Sequence, residues 1–125
     1  YSQESQRYVD MDNPEFVVPS AIATNYGTLV IWLHLINQIE TAYRSLRSLE
    51  IKKEDARFVL PNATVTRIVT TMNFRELRHL FKLRISPMAQ WEIREVCTRM
   101  LELVYPHAKN VFGDLKDTLL GGDDV

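Results

Sequence analysis

Apolar residues along this chain fall first into short strand-like runs and then into helical repeats. Between residues 4 and 18 the β-prone runs Arg7-Tyr8-Val9 and Phe16-Val17-Val18 flank the turn-forming Asp12-Asn13-Pro14, which predicts two short strands or a loose hairpin. Pro19-Ser20 then offers an N-cap, and Trp32, Leu35, Ile36, Ile39, Tyr43 and Leu46 recur at helical spacing up to about Glu50. One long helix over 20–50 is expected, with Gly27 as its weak point. Residues 53–60 read as a short helix stopped by Pro61, and the Thr-, Val- and Ile-rich segment from Thr64 to Met72 as a strand. Asn73 stands three residues before Glu76, the capping-box spacing, so a helix starts there. Ser86-Pro87 predicts another start, with Ala89, Ile93, Val96, Met100 and Leu103 facing inward until Pro106 ends the helix. The acidic end after Gly121 is expected to fray, and no internal repeat is present.

Composition narrows the class. The 125 residues are 46% hydrophobic, enough for a folded, soluble domain. A formal charge of −1 gives no general attraction to a polyanion, so nucleic acid is not expected as a partner. The run from Leu29 to Ile36 is broken by His34 and is too short for a bilayer, so no membrane association is expected either. One cysteine, Cys97, cannot form an intrachain disulfide, which suits a reducing cytoplasm. The chain starts inside a polar motif and without Met, and is read as a fragment whose upstream sequence was removed or is not represented.

The candidate chemistry is anion binding. Ser5 and Arg7 stand two residues apart in an extended segment, and Arg57 and Arg84 add guanidinium groups that bind phosphate bidentately. Arg84 shares the helical stripe of Leu77, Leu80 and Phe81. That takes it off the solvated face, where it pairs with a core carboxylate, snorkels at the helix end, or points into a ligand cavity. Arg75, Arg78, His79 and Lys82 form a second stripe, which is either a solvated face or a phosphate site covered by another segment or subunit. Asn73 caps its helix, and a capped N-terminus also attracts phosphate or a polar ring edge. Arg57 either pairs locally with Glu54 and Asp55 or binds ligand. Ser5 has no histidine nearby to deprotonate it and is read as a hydrogen-bond donor, not a nucleophile. Cys97 reads as an inert buried thiol, Trp91 with Ile93 as core, and His34 and His107 lack ligand-spaced partners, so no metal is assigned.

Ser2-Gln3-Glu4-Ser5-Gln6-Arg7-Tyr8 resembles the second half of the signature motif of flavin-dependent thymidylate synthases, RHRxxSxNExSxRY, with Ser2 and Gln3 where the motif has Asn and Glu. The segments Ala56 to Pro61, Thr66-Arg67 to Asn73, Arg75, Leu83-Arg84 and Ala89 to Ile93 follow that family's order and spacing. The resemblance covers residue 1 to about 95 and lacks the Arg-His-Arg half of the motif. It implies an α/β fold of the α+β kind, central long helices packed on a small mixed or antiparallel sheet, in a cytoplasmic homotetramer with active sites at subunit contacts. The chain would be the C-terminal portion of one such domain: motif segment 1–19, long helix 20–50, nucleotide- and flavin-site helices and strand over 53–113, and tail 114–125.

The reaction implied is reductive methylation of dUMP to dTMP, with methylenetetrahydrofolate as carbon donor and FAD reduced by NADPH as hydride source. By motif position Gln3, Ser5, Arg7, Arg57 and Arg84 would contact dUMP, Ser5 and Arg84 also acting in catalysis, while Asn73, Arg75 and His79 would contact FAD. His79 matches a position that is commonly Asn. By its residues alone, the chain is expected to be an incomplete catalyst. The alternatives are a non-catalytic nucleotide-binding or assembly module derived from this family, and a helical protein whose cationic stripe binds an acidic partner.

Overall fold

The structure, a computed structural model, describes residues 2–3 and 14–119. Over these residues it is 68% helical with one small two-stranded antiparallel sheet, an α+β fold as expected. Two compact units divide the chain, Tyr1–Thr70 and Thr71–Val125. The expected strand at Arg7-Tyr8-Val9 and the tail after Gly121 lie outside the described residues.

In the first unit, β1 (Ser2–Gln3) pairs with β2 (Ile68–Val69), Ser2 opposite Val69 and Gln3 opposite Ile68. A separate bridge joins Phe16 to Thr64, extended by Val17 N–H to the Ala63 carbonyl at 2.8 Å and Val65 N–H to the Glu15 carbonyl at 2.9 Å. The strand expected from Thr64 to Met72 is thus only two residues long. Thr64 spends its backbone N–H and its hydroxyl on the Pro61 carbonyl, a turn that competes with a ladder. Ile68 and Val69 are exposed, without the half-buried surface that favours β-branched residues.

The long helix expected over 20–50 is two helices, α1 (Ser20–Ala23) and α2 (Tyr26–Ser48). The break falls at Asn25, two residues before Gly27. Asn25 takes an extended conformation, φ −116° and ψ 121°, and its Oδ1 accepts from the N–H groups of Gly27 and Thr28, which caps a new helix. Ser20 is the first residue of α1, which has no side-chain cap. Along α2, Ile36 and Tyr43 are buried, Trp32, Ile39 and Leu46 half-buried and Leu35 exposed.

The C-terminus of α2 closes in a Schellman motif: Ile51 N–H donates to the Leu46 carbonyl at 3.1 Å and Glu50 N–H to the Arg47 carbonyl at 3.0 Å. Glu50 sits there at φ 62°, the left-handed position that glycine fills at low cost. Glu50→Gly should therefore stabilise the unit by about 0.5 to 1 kcal/mol, read as a higher urea midpoint at unchanged slope. An equal or lower midpoint would contradict this account of the turn. After it come α3 (Lys53–Ala56) and a 3-10 turn, Arg57–Val59, against which α2 packs.

The second unit is all helical: α4 (Phe74–Arg84), α5 (Trp91–Val104), a 3-10 turn at Tyr105–His107 and α6 (Lys109–Leu119). Its core is Phe81, Ile85, Cys97, Leu101, Phe112 and Leu115, bordered by Leu77, Leu80, Met100, Val104 and Val111. Four expectations are corrected here. α5 starts at Trp91 behind a Gln90 side-chain cap, because Ser86-Pro87 folds into a turn with Ala89 N–H on the Ser86 carbonyl. Its inward stripe is Cys97, Leu101 and Val104, with Ile93, Val96 and Leu103 exposed. Cys97 and Leu101 are buried and Val104 half-buried, each one residue past the expected Val96, Met100 and Leu103, a turn of about 100° that brings the helix onto Phe81 and Phe112, while Met100 stays half-buried at the core's edge. Trp91 and Ile93 are both 36% exposed, so they are not core. Finally, residues 114–119, expected as tail, continue α6, whose Phe112 and Leu115 are buried.

Candidate functional site

α4 carries Asn73, Arg75, His79 and Arg84 within one short element. Its N-terminus is a complete capping box: Asn73 Oδ1 accepts from Glu76 N–H at 2.9 Å, and Glu76 Oε2 accepts from Asn73 N–H at 3.1 Å. Since the Asn73 oxygen is committed to the cap, its amide nitrogen is the end that can serve a ligand. Arg75 and His79, four residues apart, share one face, and both are exposed.

Arg84, the last residue of α4, is exposed as well, which corrects the expectation that its stripe takes it off the solvated face. The stripe itself is right through Phe81, which is fully buried, but the helix ends at Arg84 and lets its long side chain leave the core. Nine residues at about 100° each put Arg84 on the opposite side of α4 from Arg75. Burial pushes the Cys97 thiol up, and the nearby Arg84 charge pulls partly the other way. Cys97 is thus a protonated, fully buried thiol, as expected of an inert one.

Arg78 departs furthest from expectation. Its helical spacing with Arg75, His79 and Lys82 predicts one cationic stripe, yet its guanidinium forks onto Asp114 of α6, Nη1 to Oδ1 and Nη2 to Oδ2 at 2.6 Å each, and Nη1 also donates to the Val111 carbonyl. No local signal could reveal this, because the partner is 36 residues away in another helix. The hydrogen bonds from Arg78 hold the Asp114 carboxyl down at about 2, with Lys82 adding a smaller pull. An unfolded aspartate titrates near 3.9. The lowered native value means that this contribution to stability is complete above about pH 4 and is lost as pH falls toward 2. Because the pair is largely solvent-exposed, helicity followed by circular dichroism should show only a slight acid loosening in that window, and Asp114→Asn should remove that part of the pH dependence. An identical acid profile for the two proteins would contradict it.

The first unit holds the other candidates. Gln3 lies in β1 and is exposed. Arg57 is half-buried at the start of its 3-10 turn, with Nε donating to the Glu54 carbonyl at 3.1 Å and its guanidinium 5.7 Å from the Phe58 ring centroid. Its local partners thus include a backbone carbonyl and a ring, where the sequence suggested carboxylates. Ser5 and Arg7 lie outside the described residues.

The exposed Asn73 amide and Arg75 guanidinium at the start of α4, with the His79 imidazole one turn further on, form a donor-rich face that can receive an anionic or polar group. Among the described residues, no His, Cys, Asp and Glu side chains gather as a metal site, and no helix is long and apolar enough to cross a membrane.

With most of its described residues helical and one small antiparallel sheet, the chain is an α+β protein. The family described as "Thymidylate synthase complementing protein" matches it over residues 1–108, and the chain belongs to that family. It is 43% identical over 124 residues to the flavin-dependent thymidylate synthase of Geobacter sulfurreducens, covering 98% of this chain and 53% of that protein. The enzymes of the same name from Pyrococcus furiosus and Thermococcus kodakarensis are 43% and 45% identical over 82% and 88% of the chain, and 43% and 45% of their own lengths. The chain spans about half the length of the curated relatives it matches.

Proposed function

We propose that this chain forms the nucleotide- and flavin-binding part of a flavin-dependent thymidylate synthase, converting dUMP to dTMP with methylenetetrahydrofolate as carbon donor and FAD reduced by NADPH as hydride source. The observation that supports it most is α4, which presents Asn73, Arg75, His79 and Arg84 to solvent in a chain that belongs to this family. Reduced flavin supplies the hydride, which no side chain can. Asn73 offers its amide, and Arg75 and His79 their donors, to hold the cofactor. Gln3, Ser5, Arg7, Arg57 and Arg84 hold dUMP: guanidinium groups grip the phosphate, and those beside the ring stabilise the negative charge it gains during reduction. Ser5 donates a hydrogen bond and makes no covalent bond to the substrate.

Because Arg75 and Arg84 stand on opposite sides of α4, a site that uses both faces is best completed by another copy, as in a homotetramer with active sites at subunit contacts. The same reading places the protein in the cytoplasm, where these substrates are made. The test uses the protein carrying this sequence, mixed anaerobically with FAD, NADPH, dUMP and methylenetetrahydrofolate. Bound flavin that bleaches with NADPH, together with dTMP, is the expected result. Folded protein that retains no flavin in excess FAD and makes no dTMP would overturn it.

A further inference from the structure

α6 touches α4 along one stripe. The Phe112 ring meets Phe74 edge-on at 5.4 Å and Phe81 at 5.8 Å, and Asp114 and the Val111 carbonyl take both ends of the Arg78 guanidinium. Phe74, Arg78 and Phe81 are spaced i, i+4 and i+7, so α6 holds α4 by one continuous line of anchors. Arg75 and His79 each follow an anchor by one residue, and both remain exposed. The rotation of α4 about its axis therefore decides where these two side chains aim.

The aromatic contacts tolerate sliding, since ring pairs are favourable over a range of offsets. The fork does not: two parallel N–H···O bonds fix both distance and plane. A solvent-exposed ion pair adds little to global stability, and the Asp114 side chain is 61% exposed, so stability alone leaves this geometry unexplained.

We infer that Arg78 and Asp114 are positioning residues, which lock the rotation of α4 so that Arg75 and His79 aim at the flavin. This rests on the flavin reading of α4 proposed above. Misplacing a ligand-holding group by a fraction of its length lowers affinity strongly while leaving the fold intact.

The experiment is flavin titration of the protein carrying this sequence, followed by flavin fluorescence, with thermal melting read in parallel. Asp114→Asn should weaken FAD binding about tenfold with little change in melting. Arg78→Asp combined with Asp114→Arg, which reverses the pair, should recover most of the affinity. Lys116→Ala, which removes another α6 side chain, one lying 4.4 Å from the Tyr105 ring centroid, should bind FAD as the parent does. FAD affinity unchanged in Asp114→Asn, no recovery in the reversed pair, or an equal loss in Lys116→Ala would each overturn the positioning role. A parent protein that binds no FAD would instead overturn the flavin reading itself, and the positioning role with it.

Discussion

Phe112→Ala should destabilise the helical unit that begins at Thr71 by about 3 to 5 kcal/mol, the scale of a large aromatic deletion from a packed core. Phe112 is fully buried, and its ring meets Phe74 and Phe81 edge-on, so three aromatic rings from two helices depend on it. Truncation removes apolar burial and two ring contacts together, and leaves a void that the surrounding Phe81, Leu101 and Leu115 fill only in part. A domain of this kind holds only about 5 to 15 kcal/mol in total, so the variant should lose a large share of its stability. Chemical denaturation monitored by helicity checks it. Leu103→Ala on the exposed face of α5 is the matched control and should shift the midpoint little, since Leu103 is 72% exposed. A Phe112→Ala midpoint as close to the parent as the control's would show that the core is not where the structure puts it.

Legibility in the sequence followed the range of the interactions involved. The capping box at Asn73 and Glu76 was readable because both partners lie within one turn, and the α4 stripe through Leu77, Leu80 and Phe81 because its period is local. The buried state of Cys97 followed from its place in an apolar helix. What failed depended on partners elsewhere in the chain. On α5 two candidate stripes differ by one residue, and Phe81 and Phe112, not the helix itself, choose Cys97 and Leu101. α6 is hidden by the acidic, glycine-containing end that follows it, although Val111, Phe112, Leu115 and Leu119 give the helical repeat that packs it. The break at Asn25 shows the reverse case: a local cap was present, but Pro19-Ser20 offered a competing start five residues earlier. For the site, the sequence supplied Asn73, Arg75, His79 and Arg84 on one helix, but the Arg78–Asp114 fork exists only once α6 is placed.

Arg84→Ala should weaken dUMP binding by about 2 to 3 kcal/mol, the usual worth of a charge-assisted contact in a site that excludes water. The exposed position of Arg84 makes this a sharp test. A guanidinium that stays in solvent contributes a few tenths of a kcal/mol, up to about 1, to any ion pair it makes. A larger loss requires that the nucleotide, or a second copy of the chain, cover Arg84 when dUMP is bound. Arg84→Lys separates charge from shape: the ammonium keeps the attraction but cannot make two parallel hydrogen bonds to phosphate, so it should recover only part of the affinity. Because Arg84 ends α4 on the side away from Arg75, flavin affinity should change little in either variant, and helicity should be preserved. Titration of dUMP into the flavin-loaded protein provides the measurement. An unchanged dUMP affinity in folded, flavin-loaded Arg84→Ala would remove Arg84 from the nucleotide site, and the nucleotide-binding role of that end of α4 with it.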